Sequence, residues 1–134
     1  MILKNDAELA TFNRRTANAL NNHRRRARLA KRDLDFHIYG LRQLVSRADH
    51  CPYCYLALTA GNFVIDHKEP TALSNDFGFG NLDVVCEGCN QAKNVIGHKE
   101  FHALMAVVRT WPALMQKDLM SRLRMGARMQ GGGR

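Results

Sequence analysis

The sequence is most informative first for what it does not contain. No stretch of the 134 residues approaches the roughly 18 apolar residues that a membrane span needs, so a transmembrane reading is excluded and no membrane partner is expected. The opening segment, MILKNDAELATF, lacks the basic and apolar regions of a secretory signal, which makes a cytoplasmic, reducing compartment the expectation. No internal repeat is present, and the length leaves room for one small domain rather than a two-domain enzyme. Acidic residues are scarce, 12 against 20 Lys and Arg, for a net charge of +8.

That charge is unevenly distributed. Residues 1–50 carry 11 cations and 5 anions (net +6), residues 51–100 carry 3 and 6 (net −3), and residues 101–134 carry 6 and 1 (net +5). An acidic centre between basic arms is the pattern of a chemical site carried by segments that grip a polyanion, most simply nucleic-acid phosphates. A solvated basic face is the plainer alternative.

Neither Pro nor Gly interrupts residues 7–34. Leu9, Phe12, Thr16, Leu20, His23, Ala27, Ala30 and Leu34 recur every three or four positions, which predicts a long helix with a thin apolar seam and Asp6 as its N-cap. Arg14, Arg15, Arg24, Arg25, Arg26, Arg28, Lys31 and Arg32 cover the rest of that rod and are the candidate phosphate contacts. A second helix is expected over about 35–46, weakened by Gly40. YLAL (55–58), NFVID (62–66) and Leu82 to Val85 read as short strands, with a long loop between the last two. Helices are expected near 88–97, 98–111 and, after the Thr110-Trp-Pro112 cap, to about Arg124, with Leu114, Met115, Leu119 and Leu123 inward. The tail from Gly126 is expected to fray. Met115, Met120, Met125 and Met129 offer an adaptable surface for a homodimer, although Met at helical spacing is more often core.

Cysteine supplies the strongest signal. Cys51-Pro-Tyr-Cys54 and Cys86-Glu-Gly-Cys89 are two C-x2-C pairs, each able to turn two thiolates to one side. Together they fit a closed tetrahedral Zn²⁺ site with no position left for water, and therefore a structural metal. A redox C-x2-C would need a strand-helix context that is missing here.

Between and beside these pairs lie Asp66-His67, Asn81, Asn90 and Lys93. Taken singly these are a strand end, a turn residue and a helix cap. Taken together, CPYC at 51–54, DHKEP at 66–70, NL at 81–82 and CEGCNQAK at 86–93 resemble the four-cysteine branch of the HNH endonucleases, the ββα-metal or His-Me finger nucleases. The match covers about residues 51–99, with His67 and Asn81 14 residues apart and Asn81 and Asn90 9 apart.

The resemblance implies an α+β fold: a small ββα-metal core at 51–99, stapled by zinc, between a basic helical extension at 1–50 and C-terminal helices at 100–134. It implies a Mg²⁺- or Mn²⁺-dependent DNA endonuclease or nickase, leaving 5′-phosphate and 3′-hydroxyl ends. His67 would be the general base. Asn81 would pin the loop and hold the carbonyl side of His67. Asp66 and Asn90 would hold the catalytic ion, with Asn94 as second choice, and Lys93 would meet a phosphate. Many relatives carry His where this chain has Asn90, which bears on metal preference. No reader motif is evident, so double-stranded DNA is expected to be bound with weak sequence preference. The competing reading is a non-catalytic four-cysteine zinc module that binds DNA or RNA through its basic helices; an adaptor for a protein partner is a third.

Overall fold

The structure, a computed structural model, describes residues 1–129. Helix α1 (Asp6–Leu29) begins where Asn5 turns extended and its side chain accepts the Glu8 N–H at 2.9 Å. The Glu8 carboxylate accepts in return from the Lys4 N–H, so Asn5 rather than Asp6 is the cap. The helix stops at Leu29, short of Leu34, because the Ala30 N–H is shared between the Arg26 and Ala27 carbonyls and Lys31 adopts a positive φ of 56°. Its buried seam is Phe12, Thr16, Leu20, His23 and Ala27. Leu9 and Ala30, expected in that seam, are exposed. Helix α2 (Ile38–Ser46) buries Leu41 and Val45 against α1, with Gly40 inside it.

The sheet has two antiparallel strands, β1 (Phe63–His67) and β2 (Leu82–Cys86), in a register that pairs Phe63 with Cys86 and His67 with Leu82. Residues 55–58 do not form the expected strand; only an isolated bridge joins His50 and Ala57. The reason is local. The Cys51 N–H bonds to the Leu56 carbonyl and the Tyr55 N–H to the Cys51 carbonyl, so the backbone here is committed to the turn that aims the thiols, with Tyr55 at φ 64°.

The β1–β2 connection contains helix α3 (Thr71–Ser74) and a 3₁₀ turn at Phe79–Asn81. Helix α4 (Glu87–Lys93) follows β2 directly, capped by the Cys86 sulfur accepting from the Cys89 N–H. Helices α5 (His98–Val108) and α6 (Ala113–Met129) complete the chain. The inward face of α5 is Phe101, Met105 and Val108, and Val107 is exposed. Helix α6 lies on α4 and turns Met120, Leu123 and Ala127 toward the interior. Leu114 and Met115, expected to be inward, are 82% and 53% exposed. Helix α6 continues past Arg124 and through Gly126, where the tail was expected to fray; residues 130–134, and the side chains of Arg128 and Met129, lie outside the described set.

The architecture is thus α+β, with six α-helices and one small sheet among the described residues. One core cluster joins Phe12 and Leu20 of α1, Leu41 and Val45 of α2, Tyr53 of the first cysteine turn, the sheet, and Phe101 of α5. Among the described residues no helix is long and apolar enough to cross a membrane.

Candidate functional site

The four cysteines come together from two turns. One Sγ of each lies within 4.8 Å of all the others, and Cys54 Sγ is 3.6 Å from Cys86 Sγ. A tetrahedral zinc with bonds of about 2.3 Å requires sulfurs about 3.8 Å apart, so the cluster is positioned to hold a metal ion and its size fits zinc. Three of the four are buried. Hydrogen bonding among the crowded thiols favours one anion first: the bond with Cys54, then those with Cys86 and Cys89, draws the Cys51 thiol down, while the neighbours push Cys89 up. Thiolate is the form a metal takes.

Asp66 and His67 end β1, and strand alternation sends their side chains to opposite faces. His67 is 5% exposed, and its Nε2 is buried with no hydrogen-bond partner. Burial, followed by the charge of Arg26, lowers its pKa from 6.5 to about 4, so the imidazole is neutral at neutral pH. Asp66 Oδ2 is likewise buried with no hydrogen-bond partner, 3.3 Å from Lys93 Nζ. Lys93 is the ion-pair partner of that oxygen; the Asp66 side chain and Asn90 of α4 line the same cleft, and a carboxylate with an amide oxygen is a donor set that suits a hard cation. Asn94 ends α4 with φ 49° and is not among the residues lining that cleft.

Asn81 and Lys93 divide the work that the sequence assigned to Asn81 alone. The Asn81 amide donates to the carbonyls of Glu69 (2.9 Å) and Asp76 (3.0 Å) and accepts from the Glu69 N–H (2.9 Å), which ties both ends of the loop to the start of β2. The His67 carbonyl is held instead by Lys93 Nζ at 3.0 Å. Lys93 is 1% exposed and therefore does not stand at the surface where a phosphate would meet it. Helix α4 packs back on β1, and this position faces the sheet.

Helix α1 runs along the open edge of β1. Arg15 donates to the carbonyls of Gly61 (2.8 Å) and Phe63 (2.7 Å) and stacks over the Phe63 ring at 5.1 Å. These bonds tie α1 to the turn before β1 and to its first residue, so the expected phosphate contact at Arg15 is spent inside the protein. Between α1, β1 and α4 lies a cleft of about 380 Å³. Its walls are Arg15, Asn18, Asn22, His23 and Arg26 on one side and Asp66 and Asn90 on the other.

His23 is the site residue that sequence reasoning missed. Its position in the seam of a long helix reads as packing, and the only signal was an imidazole where an aliphatic side chain would serve. It is 4% exposed, meets the His67 ring edge-on with centroids 4.8 Å apart, and leaves Nδ1 buried without a partner. Of the other expected phosphate contacts, Arg14, Arg24, Arg25, Arg26, Arg28, Lys31 and Arg32 are all exposed.

Compared with known families and with curated proteins, the chain matches no family model and no curated protein.

Proposed function

We propose that this protein is an HNH-type DNA endonuclease or nickase whose structural zinc sits among Cys51, Cys54, Cys86 and Cys89. The observation that carries the reading is the cleft itself. It joins the Asp66 carboxylate, Asn90 and a cationic wall from α1, and His23 of that wall touches the neutral imidazole of His67, which itself lies outside the lining.

His67 acts as the general base: its neutral ring takes a proton from the attacking water, and Lys93, bonded to its carbonyl, fixes the backbone that carries it. Asp66 and Asn90 would hold a Mg²⁺ or Mn²⁺ ion, which would supply neutralisation of a phosphate oxygen and of the developing charge on the leaving oxygen. Arg26 stands on the facing wall, where its charge opposes protonation of His67 in the free protein and favours a phosphate in the cleft. The exposed arginines of α1 offset the acidic centre and bind the DNA backbone without reading sequence.

The near-complete burial of His67 favours a second reading, a non-catalytic zinc module that binds nucleic acid through α1. Supercoiled plasmid separates the two. With Mg²⁺ or Mn²⁺ the wild type nicks or linearises it, while His67→Ala binds it and leaves it intact, as does wild type with these ions omitted. A wild type that shifts the plasmid in a gel and never cuts it overturns the nuclease reading.

A further inference from the structure

Helix α1 has a second polar flank that the catalytic cleft does not use. On the side away from Asp66 lies a groove of about 670 Å³ whose lining includes Arg24, Arg28, Arg32 and His37. Arg32 reaches it because the chain folds back after the helix, its N–H bonding to the Ala27 carbonyl at 2.8 Å. Arg24, Arg28 and Arg32 are exposed, and among the described residues none of their side chains has an ion pair or a hydrogen bond. Asp33 is the carboxylate beside them. Three cations converging on a groove with one acid and no internal partner make a site that lacks its counter-charge.

The two flanks lie on opposite sides of one rod. Arg26 faces the cleft and Arg24 the groove, and two residues on a helix are about 200° apart around its axis. With side chains a helix is about 10–12 Å across, close to the roughly 12 Å width of the major groove whose rims are the phosphates of the two DNA strands. A single strand lying in the catalytic cleft passes on one side of α1 only.

We propose that α1 is embraced by both strands of a DNA duplex: the Arg26 flank takes the strand that is cut, and the Arg24–Arg28–Arg32 groove takes phosphates of the uncut strand. This rests on the nuclease reading and makes the enzyme selective for duplex over single-stranded substrate. The crest between the flanks carries Arg14 and Arg25, both exposed and facing the floor of the DNA groove.

The test is binding of the full chain, zinc-loaded and without Mg²⁺ or Mn²⁺, to a labelled single-stranded oligonucleotide and to its duplex, read by fluorescence anisotropy across a salt series. Arg24→Gln/Arg28→Gln is expected to weaken duplex binding at least several-fold and to lower the slope of log affinity against log salt by about 1.8, two phosphates at about 0.9 each. Single-strand binding should stay at the wild-type level, and Arg24→Lys/Arg28→Lys should restore most of the duplex affinity. Equal losses on both probes overturn the strand assignment. An unchanged duplex affinity does so too, and gives the groove to another polyanion such as an acidic protein surface. Plasmid nicking by wild type alongside either result leaves the nuclease reading standing; a wild type that binds neither probe overturns both.

Discussion

His23 of α1 and His67 of β1 meet edge to face, ring centroids 4.8 Å apart and planes at 76°, each at least nine-tenths buried. Phe77 closes over His67 from another side at 6.0 Å, and Phe36 lies 6.4 Å from His23. A helix remote in sequence therefore forms part of the immediate surroundings of the proposed base. Neither ring can be protonated without placing a cation in a desolvated pocket next to Arg26.

A pH dependence of stability follows. Burial holds both pKa values near 4, against 6.5 for the free side chain. The unfolded chain thus binds these protons first, so the stability they confer is complete above pH 6.5 and is lost as the pH falls toward 4. At about 1.4 kcal/mol per unit, each ring accounts for at most roughly 3 kcal/mol. Urea midpoints at pH 7.5 and pH 5 should differ more for wild type than for His23→Leu. Parallel losses in the two proteins would show that His23 is not a source of the acid sensitivity.

Lys93 supplies a prediction opposite to that for a phosphate contact. Removing it leaves Asp66 buried opposite no cation and frees the His67 carbonyl, which should cost about 3–5 kcal/mol. Lys93→Met is expected to lower the melting temperature sharply while leaving the salt dependence of DNA binding unchanged. A stable variant with weakened DNA affinity would return Lys93 to the surface.

Asn81 binds three backbone groups of the β1–β2 loop. Asn81→Ala abandons them in a partly buried place, at about 1–3 kcal/mol for an unsatisfied group. Hydrogen exchange should speed up at the Glu69 amide, whose acceptor is lost, and not at Val85 in the sheet. Uniform acceleration would mean that Asn81 supports the whole fold instead of the loop.

The cysteine cluster should dominate global stability, since one Cys86→Ser change leaves a four-thiolate site with three ligands. The variant, or wild type treated with a strong chelator, is expected to unfold or aggregate and to lose bound zinc by elemental analysis. His67→Ala should keep both its zinc and a melting temperature closer to wild type than that of Cys86→Ser.

Arg15 and Arg14 are neighbours of the same type with different fates. Arg15→Ala removes two bonds to carbonyls at the start of β1 and in the turn before it, and should destabilise the fold by about 1–3 kcal/mol. Arg14→Ala, at an exposed position, should cost less than about 0.5 kcal/mol. Denaturant midpoints distinguish them, and equal costs would contradict the tethering role.

What could be read in the sequence was local chemistry. Two C-x2-C turns fix the directions of their own thiols, so a metal-binding cluster was legible before any fold. Short β-rich runs at 62–66 and 82–85, one residue from the observed strands at their ends, and the periodic seam of α1 were legible for the same reason, because spacing along the chain sets which side chains share a face. Boundaries were less so: the Asn5 cap, the end at Leu29 and the loss of a strand at 55–58 depend on backbone hydrogen bonds that compete with propensity.

Only the tertiary structure decided what each polar side chain faces. Lys93 looks like a surface cation until α4 packs on β1 and turns it to Asp66 and the His67 carbonyl. Arg15 differs from Arg14 by about 100° around the helix, enough to move it from solvent to the start of a strand some 50 residues away in the chain. His23 becomes part of a site because the seam of α1 closes over β1. Residue type and spacing determined the metal cluster and the helices; burial, and with it the charge state and partners of His23, His67, Asp66 and Lys93, came from contacts between segments far apart in sequence.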